Sequence, residues 1–168
     1  MLFEVKGICQ NCAENVNILI HNGKPISQCG SCSEDPFFIE KIAGVVYVVK
    51  NKNQTGVKIG LTSKTVEERI KQLSGTGVAG KFEPIAIFPS ATPKKHEKKV
   101  HEKLINQKLD KEHFDIEPVE AVLKIYRTLN KRITPIFYDD DIKDMFYLKL
   151  QQAKIEMEIK LKGKKSNA

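Results

Sequence analysis

The residues whose spacing carries the most chemistry are the four cysteines, arranged as Cys9-Gln-Asn-Cys12 and Cys29-Gly-Ser-Cys32. All four lie in the first 32 of 168 residues, and sixteen residues separate the two pairs. Each C-x-x-C turn aims two thiolates at one point, and two such turns complete a tetrahedron of sulfur ligands around a zinc ion. Two disulfides or a redox dithiol would use the same residue type. Disulfides persist in an oxidising compartment, and the N-terminal MLFEVKGICQNC lacks the basic patch and long apolar stretch of an export signal. A redox dithiol needs no duplicate at this spacing. Zinc bound by Cys9, Cys12, Cys29 and Cys32 is therefore the expectation, together with a cytoplasmic setting. Four sulfurs fill the shell, so His21 is expected on the surface. A core this small does not hold together without the metal, which makes the zinc structural rather than catalytic.

Between the pairs, NVNILIHNGKPISQ reads as a strand, an Asn22-Gly23 turn and a second short strand. Gly7 and Gly30 are expected to relieve the tight backbone of the cysteine turns. Residues 1–40 together resemble a zinc ribbon. They hold two lysines against five acids, a balance of −3, so a packing or partner-contact role is expected there rather than a grip on phosphate. Residues 41–115 hold fifteen basic and eight acidic residues, a balance of +7, and residues 116–168 eleven and eight, a balance of +3. The positive excess sits on the middle segment, which suits a phosphate-rich partner. No apolar run approaches the roughly 20 residues of a membrane span, so no membrane partner is expected.

The elements that must position any chemistry follow from turn and period signals. Asp35-Pro36 breaks structure and marks the joint between a module of residues 1–40 and a domain of residues 41–130. Val45 to Val49 is a β-branched run read as a buried strand, residues 51–55 a hairpin loop, and Gly56 to Gly60 the return strand. Thr65-Val66-Glu67-Glu68 is a capping box. It opens a helix with Val66, Ile70 and Leu73 on its apolar face, and Gly75-Thr76-Gly77 ends it. That glycine pair follows a helix rather than opening one, so it is not a phosphate loop. Phe82 to Phe88 alternates as a strand, with Pro84 suggesting an edge. Thr92-Pro93 starts a basic helix running to about Leu109, His113 to Ile116 is extended, and Pro118 to Leu129 is helical. Residues 131–168 begin acidic and end lysine-rich, as a helix dipole favours. Ile155-Glu-Met157-Glu-Ile159 alternates like a strand, yet a helical extension is expected. The order β-β-α-β-α-α gives an α/β (α+β) domain with one antiparallel sheet.

Gly44-Val-Val-Tyr47, then Lys58-Ile59-Gly60, then Arg69, resembles the GIY-YIG nuclease superfamily. More narrowly it resembles the phage-type branch whose second motif reads KIG in place of YIG. GLTSKTVEERIKQLSGTGV is similar to that branch's first helix and following loop. Glu97 and His101 sit on the next helix, and KEHF stands where the branch has an acid-plus-aromatic motif. The resemblance spans residues 44–116. It implies a small three-stranded antiparallel sheet flanked by helices and a DNA endonuclease acting on double-stranded DNA. It also implies a catalytic divalent cation, magnesium, at Glu97, and a site made of Tyr47, Lys58, Arg69, Glu97, His101 and Glu112. Lys58 replaces the second tyrosine of the wider superfamily, so a two-tyrosine mechanism does not carry over. His113 stands where the branch has a bulky aromatic.

The side chains suit that implication. Tyr47 and Lys58 can project from one sheet face, and an ammonium beside a phenol lowers its pKa from about 10. Tyr47 would then take a proton from water. Arg69 matches phosphate oxygens in charge and fork geometry. Glu97 is a hard oxygen ligand suited to magnesium. His101, four residues on, shares its helix face and could orient water or touch phosphate, while Glu112 could brace the site. His96 and His113 are expected on the surface. Two other readings remain at this stage: a catalytically silent nucleic-acid- or protein-binding module with a nuclease-like fold, and a zinc-ribbon adaptor for a protein partner.

Overall fold

The structure, a computed structural model, describes residues 1–39, 41–75, 79–130 and 133–165, with side chains described as far as residue 160. The chain divides into two compact units, Met1–Lys41 and Ile42–Ala168.

In the first unit, β1 (Leu2–Ile8) and β2 (Asn15–His21) pair antiparallel from Leu2↔His21 to Ile8↔Asn15, and β3 (Lys24–Pro25) extends the sheet beside β2. Asn22 (φ 50°) and Gly23 (φ 79°) are both left-handed, the backbone that a two-residue hairpin turn demands. The strand Leu2–Ile8 was not foreseen, because most of its residues stay exposed and its alternation is weak. His21 is exposed, as expected. The two cysteine turns are built alike. Cys9 N–H donates to the Glu14 carbonyl (2.8 Å) and Ala13 N–H to the Cys9 carbonyl (2.9 Å). Cys29 N–H donates to Glu34 (3.0 Å) and Ser33 N–H to Cys29 (2.9 Å). The left-handed residue closing each turn is Ala13 (φ 62°) or Ser33 (φ 59°). This corrects the role expected for Gly7 and Gly30, neither of which has a positive φ. Gly7 instead makes room for Phe37, whose Cζ would lie 3.0 Å from a Cβ at that position.

The second unit is mixed α+β. Its three long strands are β4 (Gly44–Asn51), β5 (Val57–Thr62) and β6 (Phe82–Ser90), with β4 in the middle and antiparallel to both neighbours. Three short pieces extend the edges: β7 (Lys108–Asp110) and β8 (His113–Phe114) beyond β5, and β9 (Ile136–Phe137) beyond β6. Because β4 is central, its side chains are buried on both faces. Val46 and Val48 join a core with Ile59, Phe88, Phe114 and the helices α2 (Pro93–Lys103), α3 (Pro118–Thr128) and α4 (Asp140–Lys165). Tyr47 and Val49 point the other way, toward Phe82 and the apolar face of α1 (Val66–Leu73).

Thr65 caps α1 as its sequence promises, its Oγ1 accepting from Glu68 N–H at 3.3 Å. Gly75 follows the end of that helix, while Thr76 and Gly77 lie outside the described residues. Helix α2 stops at Lys103 rather than near Leu109. Leu104 turns into the core and a 3-10 turn, Ile105–Gln107, leads into β7. Pro84 is compatible with β6 because β9 pairs only with Ala86 and Ile87. The tail is helical as expected, with Asp139 Oδ1 capping Ile142 N–H at 2.9 Å and Glu120 of α3 paired with Lys149.

Gly56 ends the hairpin loop at φ +71°, and a Cβ there would collide with the Phe114 carbonyl. Gly56→Ala therefore both strains the backbone and separates β5 from β8. A loss of about 2–3 kcal/mol is expected in urea unfolding; an unchanged midpoint would contradict the geometry.

Candidate functional site

Strand β5 is the spine of the site. In register, Tyr47 faces Gly60 and Val49 faces Lys58, so the phenol and the ammonium share one sheet face, as the hairpin pattern predicts. Tyr47 is fully buried, and its ring lies directly over the β5 backbone. A Cβ on residue 60 would sit 2.5 Å from Tyr47 Oη and 3.2 Å from Glu112 Oε2. Only glycine permits that approach. Gly60 is the site residue that the motif reading quoted but did not single out, and the signal was a glycine inside a strand.

Arg69, on α1 one turn after Val66, donates from Nε to Tyr47 Oη at 3.2 Å and from Nη1 to Gln72 Oε1 at 3.3 Å. Burial pushes the Tyr47 phenol above its ordinary value; the Arg69 hydrogen bond and charge pull it back, and Glu112 and Glu97 push it further up. The expected lowering by Lys58 is not what is found. Lys58 Nζ faces Glu112 Oε2 at 2.6 Å instead, and the cation beside the phenol is Arg69. The Tyr47 hydrogen bond raises the Arg69 guanidinium further.

The outer edge of β5 collects the remaining groups. β8 pairs only with Val57 and Lys58, which leaves the backbone of residues 59–61 needing other partners. Ile59 N–H donates to the Glu112 carbonyl at 2.9 Å, and His101 Nε2 donates to the Ile59 carbonyl at 3.0 Å. That bond places the proton on Nε2, and the His101 ring packs on Phe114 at 5.0 Å. Glu97, one turn earlier on α2, meets the Leu61 amide. Burial pushes its carboxyl above the ordinary range. His101 lowers it, Glu112 raises it, and the Leu61 amide and Lys58 lower it. All six anticipated side chains thus gather around residues 58–61. Of the two histidines expected on the surface, each is half-buried with a defined partner. His113 Nε2 donates to Gln54 Oε1 at 3.0 Å, and Ser90 Oγ and His96 Nδ1 are 2.8 Å apart. Burial, then neighbouring lysines, lower the pKa of both.

The metal-ligating cluster among the described residues is Cys9, Cys12, Cys29 and Cys32, all four Sγ atoms within 4.8 Å of one another. Cys9 and Cys32 stand 3.8 Å apart, Cys12 and Cys29 3.6 Å. Sulfurs about 2.3 Å from a zinc ion stand about 3.8 Å apart in a tetrahedron. A disulfide would need about 2.05 Å. The backbone amides of Cys32 and Ser31 lower the Cys29 thiol to about 6. At Cys12 the Glu14 amide lowers the pKa, but burial and the three neighbouring sulfurs push it to about 12. Four sulfurs at this spacing resist joint ionisation until a cation stands among them. The cluster can hold a structural zinc.

Residues 44–130 match the T5orf172 domain, a nuclease-like domain related to the GIY-YIG endonucleases. Comparisons with curated proteins and with solved structures returned no match. No helix among the described residues is long and apolar enough to cross a membrane.

Lys58 is 12% exposed and Glu112 34%, so their pair is only partly screened. A double-mutant cycle of Lys58→Met and Glu112→Gln should return a coupling of about 0.5–3 kcal/mol in unfolding free energy; additive effects would mean the pair is incidental. Freshly purified protein should carry zinc on the four cysteines, and a chelator should unfold the first unit, because binding energy there is folding energy. Metal analysis without zinc, or mass spectrometry revealing disulfides, would refute this.

Proposed function

The chain belongs to the T5orf172 domain family, and on that premise we propose that it is a metal-dependent endonuclease hydrolysing phosphodiester bonds in double-stranded DNA through a GIY-YIG-type site. The observation that carries the reading is the convergence of a phenol, a guanidinium, an ammonium–carboxylate pair and a second carboxylate along four residues of β5. That set contains a proton acceptor, phosphate-binding cations and a hard oxygen ligand.

Tyr47 Oη takes the proton from the attacking water. Arg69 holds the phenolate and reaches the scissile phosphate, where its charge matters most as negative charge builds on the phosphoryl oxygens. Lys58, oriented by Glu112, adds a second cation for the phosphate. Glu97 would hold the divalent cation, magnesium. Its carboxylate fits that role as a single protein ligand, with water and substrate phosphate completing the shell. When bound, such an ion supplies charge neutralisation at the phosphate and a more acidic water. His101 fixes the edge of β5 through Ile59 and leaves its Nδ1 free. Exposed Lys94, Lys95 and Lys98 on α2 would track the DNA backbone in a salt-dependent manner.

The test is incubation of purified protein with supercoiled plasmid, with and without magnesium. Tyr47→Phe should keep the fold and lose about 10²–10⁴-fold in rate. Glu97→Gln should bind DNA and fail to cut. Because the phenol lies above its ordinary pKa, only a small fraction is ionised at neutral pH, so the rate should climb as pH rises into the alkaline range. Arg69→Ala should move that climb to higher pH. Cutting by both Tyr47→Phe and Glu97→Gln at the wild-type rate would overturn the assignment. Salt-dependent binding with no nicking at any pH would favour the silent module.

A further inference from the structure

A groove of about 340 Å³ lies where the C-terminal ends of α2 and α3 pack together, and its walls are Lys103, Lys124, Arg127 and Thr128. The three α3 residues are spaced three and four apart, so they share one flank of that helix. Lys103 and Arg127 are exposed, and Lys124 and Thr128 half-buried. Among the described residues none of the three cations is in an ion pair. Lys103 and Arg127 sit in the last turns of their helices, where a cation offsets the helix dipole. Lys124 lies before that turn, so the dipole does not account for it.

Three like charges that line one groove repel one another. An anion seated among them replaces that repulsion with charge-assisted hydrogen bonds, and the Thr128 hydroxyl adds a neutral donor. Lys103 follows His101 by two positions and therefore points about 200° around α2 from it. Buried Val100 and Leu104 lie between the groove and the Glu97 flank. The groove is thus a second cationic surface, distinct from the residues gathered on β5. We propose, resting on the nucleic-acid partner inferred above and not on cleavage, that this groove holds backbone phosphates of the nucleic acid away from the point of cutting. Phosphate contacts of this kind fix position and carry no sequence information.

The test is binding of the full chain to a duplex of about 30 base pairs, read by fluorescence anisotropy without magnesium over a series of salt concentrations. Lys103→Gln/Lys124→Gln/Arg127→Gln should bind at least about tenfold more weakly at about 0.1 M salt, with the log–log salt slope smaller by roughly 2–3. The milder Lys103→Gln/Arg127→Gln, at two exposed positions, should reduce the slope by about 2. Without DNA, both variants should melt no lower than the wild type, because repulsion has been relieved. An unchanged slope in either folded variant overturns the groove as a nucleic-acid contact, even where plasmid nicking persists. Inorganic phosphate that stabilises the wild type but not the variants, with duplex binding equal in all three, marks a free-anion site and also overturns it. Slopes that fall as stated in a protein that never nicks support the groove and count against the endonuclease alone.

Discussion

The approach of the Tyr47 ring to the backbone of β5 at Gly60 is the constraint on which the second unit's site depends. A side chain at residue 60 would occupy the place of the phenol oxygen. With glycine there, the phenol end of the ring reaches the β5 backbone and α1 closes over it through Val66 and Ile70. The same closure delivers Arg69, because Arg69 lies one turn after Val66 on a helix whose start is fixed by the Thr65 cap. Among the described residues the buried phenol therefore has one hydrogen-bond partner, and that partner is a cation. A buried hydroxyl without one would cost desolvation with nothing in return.

A second consequence follows at the open edge of β5. Because β8 covers only two of its residues, the next backbone groups must find partners elsewhere. They find them in the Glu112 carbonyl and in side chains of α2. Completing the sheet edge thus brings Glu97, His101 and Glu112 to the place where Tyr47 and Arg69 already stand. The contacts are complementary: Arg69 on the phenol and Lys58 on Glu112, with His101 and Lys58 both lowering the Glu97 carboxyl. Such an arrangement tolerates partial burial.

The first unit obeys a different constraint. Its sheet buries little, with Ile18 its one fully buried strand residue among those described. Order there rests on two cysteine turns with the same hydrogen-bond pattern that converge four sulfurs. The left-handed residues that close them, Ala13 and Ser33, carry a small backbone strain that a bound metal would offset.

Legibility in the sequence divided by range. The two C-x-x-C turns, the Asn22-Gly23 hairpin, the Thr65 cap and the shared face of Glu97 and His101 are set by spacings of two to four residues, where helix and turn geometry leaves few alternatives. The alternation of Tyr47 with Val46 and Val48 likewise fixed which residues of β4 share a face. The strand at residues 2–8 escaped because an exposed strand has no hydrophobic pattern to betray it. Ion pairing escaped for a physical reason. Lys58 was matched with Tyr47 because a hairpin makes them neighbours, yet Coulomb attraction in a half-buried site goes to the nearest carboxylate, and Glu112 arrives from 54 positions further on. Arg69 reaches the phenol across 22 residues. Which residue types the site contains, and on which local elements, was decided by the sequence alone; which charge faces which was decided by strand register and loop closure.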